Sequence, residues 1–172
     1  RNQGGLRERL FDWTLALGRR RYEQPGGLGL AARLVDWLLD RLVRDKIRMR
    51  FGGRLKALVS GGAALDPELG VFFRAIGLPL FQGYGQTEAA PLISVNRPSR
   101  PKPHTVGPPI SGVEVRLAED GEILVRGDVL MQGYWRNEDA TAEALRDGWL
   151  HTGDVGEIDA DGDIRITDRK KD

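Results

Sequence analysis

Apolar residues recur at helical steps through the first fifty positions of the chain. Leu6, Leu10, Trp13 and Leu17 fall at intervals of four, three and four, so they share one helical face. Gln24-Pro25-Gly26-Gly27 breaks the pattern. Leu30, Leu34, Leu38 and Leu42 then follow at steps of four, with Val35, Leu39 and Val43 beside them. This predicts a second amphipathic helix ending near Gly52-Gly53. Such stripes belong to helices packed on the body of a larger domain. A helix lying on a membrane surface has them as well.

The period changes at Leu55. Leu55-Lys56-Ala57-Leu58-Val59 predicts a short strand, and Ser60-Gly61-Gly62-Ala63-Ala64 a turn of small residues. Asp66-Pro67 signals a helix start, with Asp66 as the cap and Pro67 at the first helical position. That helix carries Leu69, Phe72, Phe73 and Ile76, and Gly77 ends it. Leu78-Pro79-Leu80-Phe81 predicts a second strand, and Gln82-Gly83-Tyr84-Gly85 a second tight turn. Strand, helix and strand in that order make a βαβ unit. In open α/β sheets ligands bind beyond the carboxyl ends of the strands, where both glycine-rich turns fall.

Six prolines between Pro91 and Pro109 mark a loop, and a subdomain boundary is placed near Thr105. Val113, Val115 and Leu117 then alternate with polar residues. Glu119-Asp120-Gly121 predicts a hairpin turn, with Glu122-Ile123-Leu124-Val125-Arg126 returning. Asn137 caps a short helix through Leu145. Ala160-Asp161-Gly162 predicts another hairpin, between Gly156–Asp159 and Asp163–Ile166. The expected class is α/β: a helical segment and βαβ unit over 1–104, then a small β-rich subdomain over 105–167.

Composition narrows the function. Hydrophobic residues make up 40% of the 172, and charged residues 30%, which is ordinary for a globular chain. Without cysteine, disulfides and thiolate chemistry are excluded. No apolar run approaches the roughly 20 residues of a membrane span. No apolar stretch follows Arg1-Asn2-Gln3-Gly4-Gly5, so a secretory leader is not expected there. The net charge of +1 hides an asymmetry: residues 1–56 hold 14 Lys/Arg against 6 Asp/Glu, and residues 57–172 hold 12 against 19. A basic helical segment suits anionic lipid, a phosphate-rich ligand or nucleic acid, and is also simply a solvated arginine-rich surface. The aromatics of that segment, Phe11, Trp13, Tyr22, Trp37 and Phe51, sit mostly on or near the apolar stripes. A stacking platform for nucleic acid is therefore not expected.

Three runs could carry chemistry. In Gly83-Tyr84-Gly85-Gln86-Thr87-Glu88, two glycines admit a ligand close to the backbone and Tyr84 offers a flat face for a planar base. Thr87 and Glu88 stand at the start of an expected helix, whose N-terminus attracts phosphate. A carboxylate beside phosphates needs a hard cation such as Mg²⁺ between them. The same run also reads as a structural turn with a helix cap. In Gly148-Trp149-Leu150-His151-Thr152-Gly153-Asp154, the aspartate could accept hydrogen bonds from vicinal ribose hydroxyls, or form an Asx turn. Thr167-Asp168-Arg169-Lys170-Lys171-Asp172 taken alone is a charged end. Asp159, Asp161 and Asp163 imitate the start of a calcium loop, but the glycine falls between the second and third aspartates, so a calcium site is not expected. His104 and His151 have no Cys or His partner at metal-ligand spacing.

The order and spacing of these runs say more than each does. Ser60-Gly61-Gly62-Ala63-Ala64-Leu65, Gln82 through Glu88, Gly121 through Gly127 with Met131-Gln132-Gly133-Tyr134-Trp135, Gly148 through Asp154, and Asp168-Arg169-Lys170-Lys171-Asp172 resemble the adenylate-forming, or AMP-binding, superfamily. Within it the chain looks most like bacterial long-chain fatty-acyl-CoA synthetases. The resemblance implies the end of such an enzyme's large N-terminal domain, with 168–172 as the hinge to a C-terminal domain. It implies that Thr87 contacts the α-phosphate and Glu88 holds Mg²⁺, the two catalytic positions. It implies that Tyr84 stacks on adenine, with Gly61, Gly62, Ala63, Gln82 and Gly83 lining the adenine and acyl pocket. Asp154 would bind the ribose, Arg169 would assist, and Lys171 would be the hinge.

The implied reaction has two steps: a carboxylate attacks the α-phosphate of ATP to give acyl-AMP and pyrophosphate, and the thiol of CoA then attacks the acyl-AMP. The implied substrates are fatty acid, ATP and CoA, with Mg²⁺; the implied location is cytoplasmic, with peripheral membrane contact through the basic helices. The family's Ser/Thr/Gly-rich phosphate loop and its adenylation lysine do not occur in these 172 residues. The chain is therefore expected to be an internal piece, inactive alone. Two alternatives stay open: adenylation of another carboxylic acid for a carrier protein, and a nucleotide-binding module without chemistry.

Overall fold

The structure, a computed structural model, describes residues 5–24 and 26–170. The hinge position expected at Lys171 lies outside them. The chain forms two compact units: the described residues of Arg1–Leu58 with Leu65–Leu80, and those of Val59–Ala64 with Phe81–Asp172.

The first unit is helical. Helix α1 spans Gly5–Glu23 and α2 spans Leu30–Leu39. The second runs on without a break through a π-helical turn, Asp40–Arg44, into α3, Asp45–Arg50. Helix α4, Pro67–Ala75, begins as the sequence predicts: the Asp66 side chain accepts from Glu68 N–H at 2.9 Å, and Pro67 occupies the first turn.

The two periodic stripes are helical, but only part of each turns inward: Leu10, Leu17 and Val43 are half-buried and Leu39 is buried. Leu6 and Trp13 are exposed, as are Leu30 (85%), Leu34 (61%), Leu38 and Leu42. The buried positions are Thr14 and Gly18 on α1, Asp36 and Leu39 on α2, and Arg44 in the π-turn. Gly18 explains the α1 face. A Cβ there would lie 2.6 Å from the Ala75 Cα, so only glycine allows the backbones of α1 and α4 to approach this closely.

Arg44 explains the rest. It is 3% exposed and its guanidinium is nearly saturated. Nε donates to the Ala75 carbonyl at 2.7 Å, Nη2 to Asp36 Oδ1 at 2.7 Å and to the Thr14 carbonyl at 3.2 Å, and Nη1 to the Asp36 carbonyl at 3.3 Å. One side chain thus ties α1, α2 and the end of α4 together. The π-turn widens the helix by one residue at that point.

The second unit holds the strands. A three-stranded sheet has the order β1 (Leu58–Ser60), β2 (Leu80–Tyr84), β3 (Ser94–Val95). Gln82, Gly83 and Tyr84 therefore belong to a strand rather than to the tight turn expected of them. A second sheet has the order β4 (Val113–Leu117), β5 (Glu122–Gly127), β7 (Trp149–Ile158), β6 (Leu145–Arg146). The remaining strand, β8 (Ile164–Arg169), pairs with the far end of β7. The short helix α5, Glu138–Ala144, is capped by Asn137 as predicted, through Oδ1 accepting from Ala140 N–H at 3.1 Å.

The core of this unit is apolar. Ile93, Ile123, Val125, Leu150 and Ile164 are fully enclosed beside Tyr84 and Ala89. The boundary placed near Thr105 falls inside this unit, because the proline-rich loop is stitched to both sheets. Ser94 Oγ donates to the Val106 carbonyl, Asn96 Nδ2 to the Thr105 carbonyl, and Val106 N–H to the Ile164 carbonyl at 2.8 Å. Among the described residues no helix is long and apolar enough to cross a membrane.

Candidate functional site

Strand β2 ends at Tyr84, and the chain must turn at once. A Cβ at Gly85 would lie 1.7 Å from the Pro91 carbonyl oxygen, so glycine is obligatory here. The helix expected at Thr87 is one 3-10 turn, Thr87–Ala89. It stops because Ala90 takes a left-handed conformation (φ 44°) and Pro91 follows, which together bar a further turn. Thr87 is exposed and Glu88 partly so. Three residues make no appreciable dipole, so attraction for phosphate must come from the side chains and the few free N–H groups.

Strand β7 brings the second run to the same unit. Leu124 pairs with His151 and Glu122 with Val155, so two steps along β5 answer four along β7. Thr152-Gly153-Asp154 therefore stand opposite the single Ile123 and form a bulge, with Gly153 at φ 71°. Thr152 Oγ1 closes the bulge, donating to the Ile123 carbonyl at 2.7 Å and accepting from Asp154 N–H at 3.1 Å. The bulge re-aims Asp154, whose Oδ2 accepts from Tyr84 OH at 2.6 Å and from Gln86 Nε2 at 2.7 Å. Gln86 Nε2 also donates to the Thr152 carbonyl at 2.8 Å. The other carboxylate oxygen, Oδ1, lies 3.7 Å from Arg169 Nε on β8. Burial first, and then the hydrogen bond to Asp154, push the Tyr84 phenol well above its usual pKa, so it remains a neutral donor.

Glu88 is held from the other side. Tyr134 OH donates to Glu88 Oε1 at 2.8 Å, and Met131 N–H donates to the Glu88 carbonyl at 2.8 Å. Tyr134 is itself fixed by Thr141 Oγ1, which accepts from Tyr134 N–H at 2.9 Å. The bond to Glu88, then partial burial, raise the Tyr134 phenol above its ordinary value. Glu88 Oε2 has no hydrogen-bond partner among the described residues. A carboxylate with one oxygen fixed and one open suits a hard divalent cation, which prefers oxygen ligands.

The structure thus joins Tyr84 to Asp154 and sets Arg169 beside the same carboxylate. It also sets Gly61 against Gly83, where a Cβ on Gly61 would lie 3.3 Å from the Gly83 carbonyl. Gly62 and Ala63 are exposed beside them. Tyr84 and Gln82 also have structural partners. The Tyr84 ring is 7% exposed and packed in the core, so its main visible task is to orient Asp154. The Gln82 amide donates to the Pro103 carbonyl at 2.6 Å, bracing the proline-rich loop. Gln86, Glu122, Tyr134 and Thr152 also take part in these contacts, and their residue types alone do not signal it. All four stand inside the runs quoted above, but spacing alone cannot say that a hydroxyl or amide reaches a carboxylate dozens of residues away.

The Asp159, Asp161 and Asp163 carboxylates do converge. Lys102 Nζ lies 2.5, 2.6 and 2.8 Å from them, so an ammonium group occupies the place a cation would take.

Comparison with known proteins gives the chain's family. A family model described as AMP-binding enzyme matches residues 20–135. The chain is 47% identical over 160 residues to a long-chain-fatty-acid–CoA ligase, FadD15, of Mycobacterium bovis, covering 93% of this chain and 26% of the relative. Among solved structures it resembles O-succinylbenzoate coenzyme A synthetase of Bacillus subtilis in complex with ATP and magnesium ion, with a TM-score of 0.61 and 31% identity over 66% of this chain and 26% of that one. It also resembles a long-chain-fatty-acid–CoA ligase from Archaeoglobus fulgidus, with a TM-score of 0.60 and 30% identity over 67% of this chain and 28% of that one. The chain spans about a quarter of the length of the curated relative it matches.

Proposed function

Because the chain belongs to the AMP-binding enzyme family, we propose that the protein carrying it activates a long-chain fatty acid with ATP and transfers the acyl group to CoA. The observation that carries this reading is the Asp154 carboxylate, aimed by Tyr84 and Gln86 and left with one oxygen facing Arg169. That oxygen is suited to accept hydrogen bonds from the two ribose hydroxyls of ATP. Gly61, Gly62, Ala63 and Gly83 offer low walls where the base and acyl chain can approach the backbone. Thr87 would donate its hydroxyl to the α-phosphate.

Glu88, with Tyr134 fixing one oxygen, would hold Mg²⁺, which when bound supplies positive charge against the phosphates. The chain's own contribution to acyl-AMP formation is positioning: it fixes ribose and α-phosphate relative to each other, and excludes rotation of Asp154. Lys171 is proposed as the hinge for a C-terminal domain. The proposed site of action is the cytoplasm, with the exposed leucines and arginines of α1 and α2 available to a lipid surface that delivers the fatty acid.

The intact protein is the test. With ATP, Mg²⁺, CoA and a palmitate-like acid it should form the thioester. Glu88→Ala should lower that activity by two orders of magnitude or more, on the order of removing one main charge-stabilising group. Activity confined to acetate or aryl acids would refute the chain-length assignment. Acyl transfer to a carrier protein but not to CoA would favour the sister reading.

A further inference from the structure

Glu122 lies outside the Tyr84–Gln86–Asp154 network, yet it is 4% exposed, the least exposed acidic residue among those described in the second unit. An enclosed carboxylate needs partners. Here they all converge on the bulge in β7. Oε1 accepts from Gly153 N–H at 2.9 Å, a donor that the bulge has taken out of the ladder. Oε2 accepts from Lys170 Nζ at 2.8 Å and lies 3.0 Å from His151 Nδ1. Burial alone would raise the pKa of this carboxyl. The bonds from Lys170, His151 and Gly153 outweigh it and hold the group below the usual carboxylate range, so it is ionised at neutral pH.

The other half of Gly153 is held by the same partner. Its carbonyl accepts from the Lys170 backbone N–H at 2.7 Å. Both polar groups of Gly153 are therefore bound by Glu122 and Lys170, which are bound to each other. Lys170 Nζ also reaches Asp120 Oδ2 at 2.6 Å, in the β4–β5 turn. The residue after Gly153 is Asp154, and the residue after Lys170 is the expected hinge. A left-handed glycine at φ 71° has wide conformational freedom unless its peptide groups are fixed. Freedom there would swing the Asp154 carboxylate.

We propose that Glu122 is a positioning residue for ribose recognition: it locks Gly153, and so aims Asp154, while its ion pair with Lys170 ties that setting to the segment leading to Lys171. The inference rests on Asp154 being the ribose ligand.

The test uses the intact protein, pyrophosphate exchange, and two nucleotides, ATP and 2′-deoxy-ATP. Glu122→Gln keeps the volume and an acceptor for Gly153 N–H but loses the charge that holds Lys170; Glu122→Ala loses both. Glu122→Ala should raise KM for ATP about tenfold, the scale expected for a residue that orients a ligand-binding group. The preference for ATP over 2′-deoxy-ATP should fall towards that of Asp154→Asn, with kcat at saturating ATP changing less. Lys170→Met should move both readouts the same way by a smaller factor, and adding it to Glu122→Ala should have little further effect.

Loss of folding alone would not change the ratio between the two nucleotides, because it removes active molecules without altering their selectivity. If Glu122→Gln, Glu122→Ala and Lys170→Met keep the wild-type ratio while Asp154→Asn loses it, Glu122 is structural only and the proposal falls. If Asp154→Asn itself keeps the ratio, the ribose reading fails first and takes the proposal with it. Should Glu122→Ala not fold, the glutamine variant and Lys170→Met decide.

Discussion

The two units build their interiors differently. In the strand-rich unit, Ile93, Ile123, Val125, Leu150 and Ile164 are enclosed, and the polar network of Tyr84, Gln86 and Asp154 lies beside that core. In the helical unit most of the apolar stripe of α2 is exposed, while Arg44, Asp36 and Thr14 are buried beside Leu39, Val71, Ala75, Ile76 and Leu78. A hydrophobic period therefore fixes which residues share a face, but not what that face meets. In the helical unit the centre adds to its apolar residues a guanidinium with acceptors on three helices. Such a centre is directional, and it specifies geometry where an oily one would tolerate sliding.

Removing that guanidinium should have the largest effect on stability. Arg44→Met leaves the Asp36 carboxylate and the Ala75 and Thr14 carbonyls without their buried partner. The expected cost is about 3–5 kcal/mol, the range for breaking a buried ion pair from one side. Hydrogen exchange should show α1, α2 and α4 opening while β5 and β7 keep their protection. Adding Asp36→Leu should recover a large part of the loss, because it removes the stranded charge. Equal loss of protection in both units would mean that they do not differ as described. The matching change in the other unit is Ile123→Ala, at about 2–5 kcal/mol for a large-to-small core substitution. Its exchange pattern should be the reverse, with β5 and β7 opening first.

Much of this was legible in the sequence, and the exceptions have physical causes. Asp66-Pro67, Asn137, and the hairpins at Gly121 and Gly162 follow from local rules, since caps and turns are set by a few neighbouring atoms. The pairing of Tyr84 with Asp154 was legible as two motifs but not as a bond, because 70 residues separate them. The outward face of α2 was not legible, since an apolar stripe looks the same whether its partner lies in this unit or elsewhere. Neither was Arg44 as a core residue, because arginine is almost never fully buried unless it is paired. The comparison predicts a null result on α2: Leu34→Gln should change the stability of this chain by no more than about 0.5 kcal/mol. A loss several times larger in urea titration would place that stripe inside the unit after all.

The smallest expected effect concerns the surface of the strand-rich unit, where charge is again met by charge. Lys102 Nζ sits among Asp159, Asp161 and Asp163, and Arg100 pairs with Asp161. Hydrogen bonds from Lys102 hold the carboxyls of Asp159 and Asp161 below their usual value, with Arg100 helping at Asp161. The same three carboxylates push the Lys102 ammonium above its own. The signs give a window. The depressed carboxyls contribute stability that is complete above their unfolded pKa, about 3.9, and lost as pH falls through their lower folded values. The raised ammonium contributes stability that is complete below its unfolded pKa, about 10.4, and lost as pH rises through its folded value. Lys102→Met should therefore lower the melting temperature modestly at neutral pH, where the pairing is complete, and change it little at either extreme, so that the pH dependence flattens. Calcium at millimolar concentration should not raise the melting temperature of the native chain, because the ammonium already satisfies the three carboxylates. A calcium-dependent rise in the native chain would show that Lys102 is readily displaced. Without such a rise the contrast with Arg44 is one of degree: both cations stay with their acceptors, one fully buried and the other half-buried at the surface.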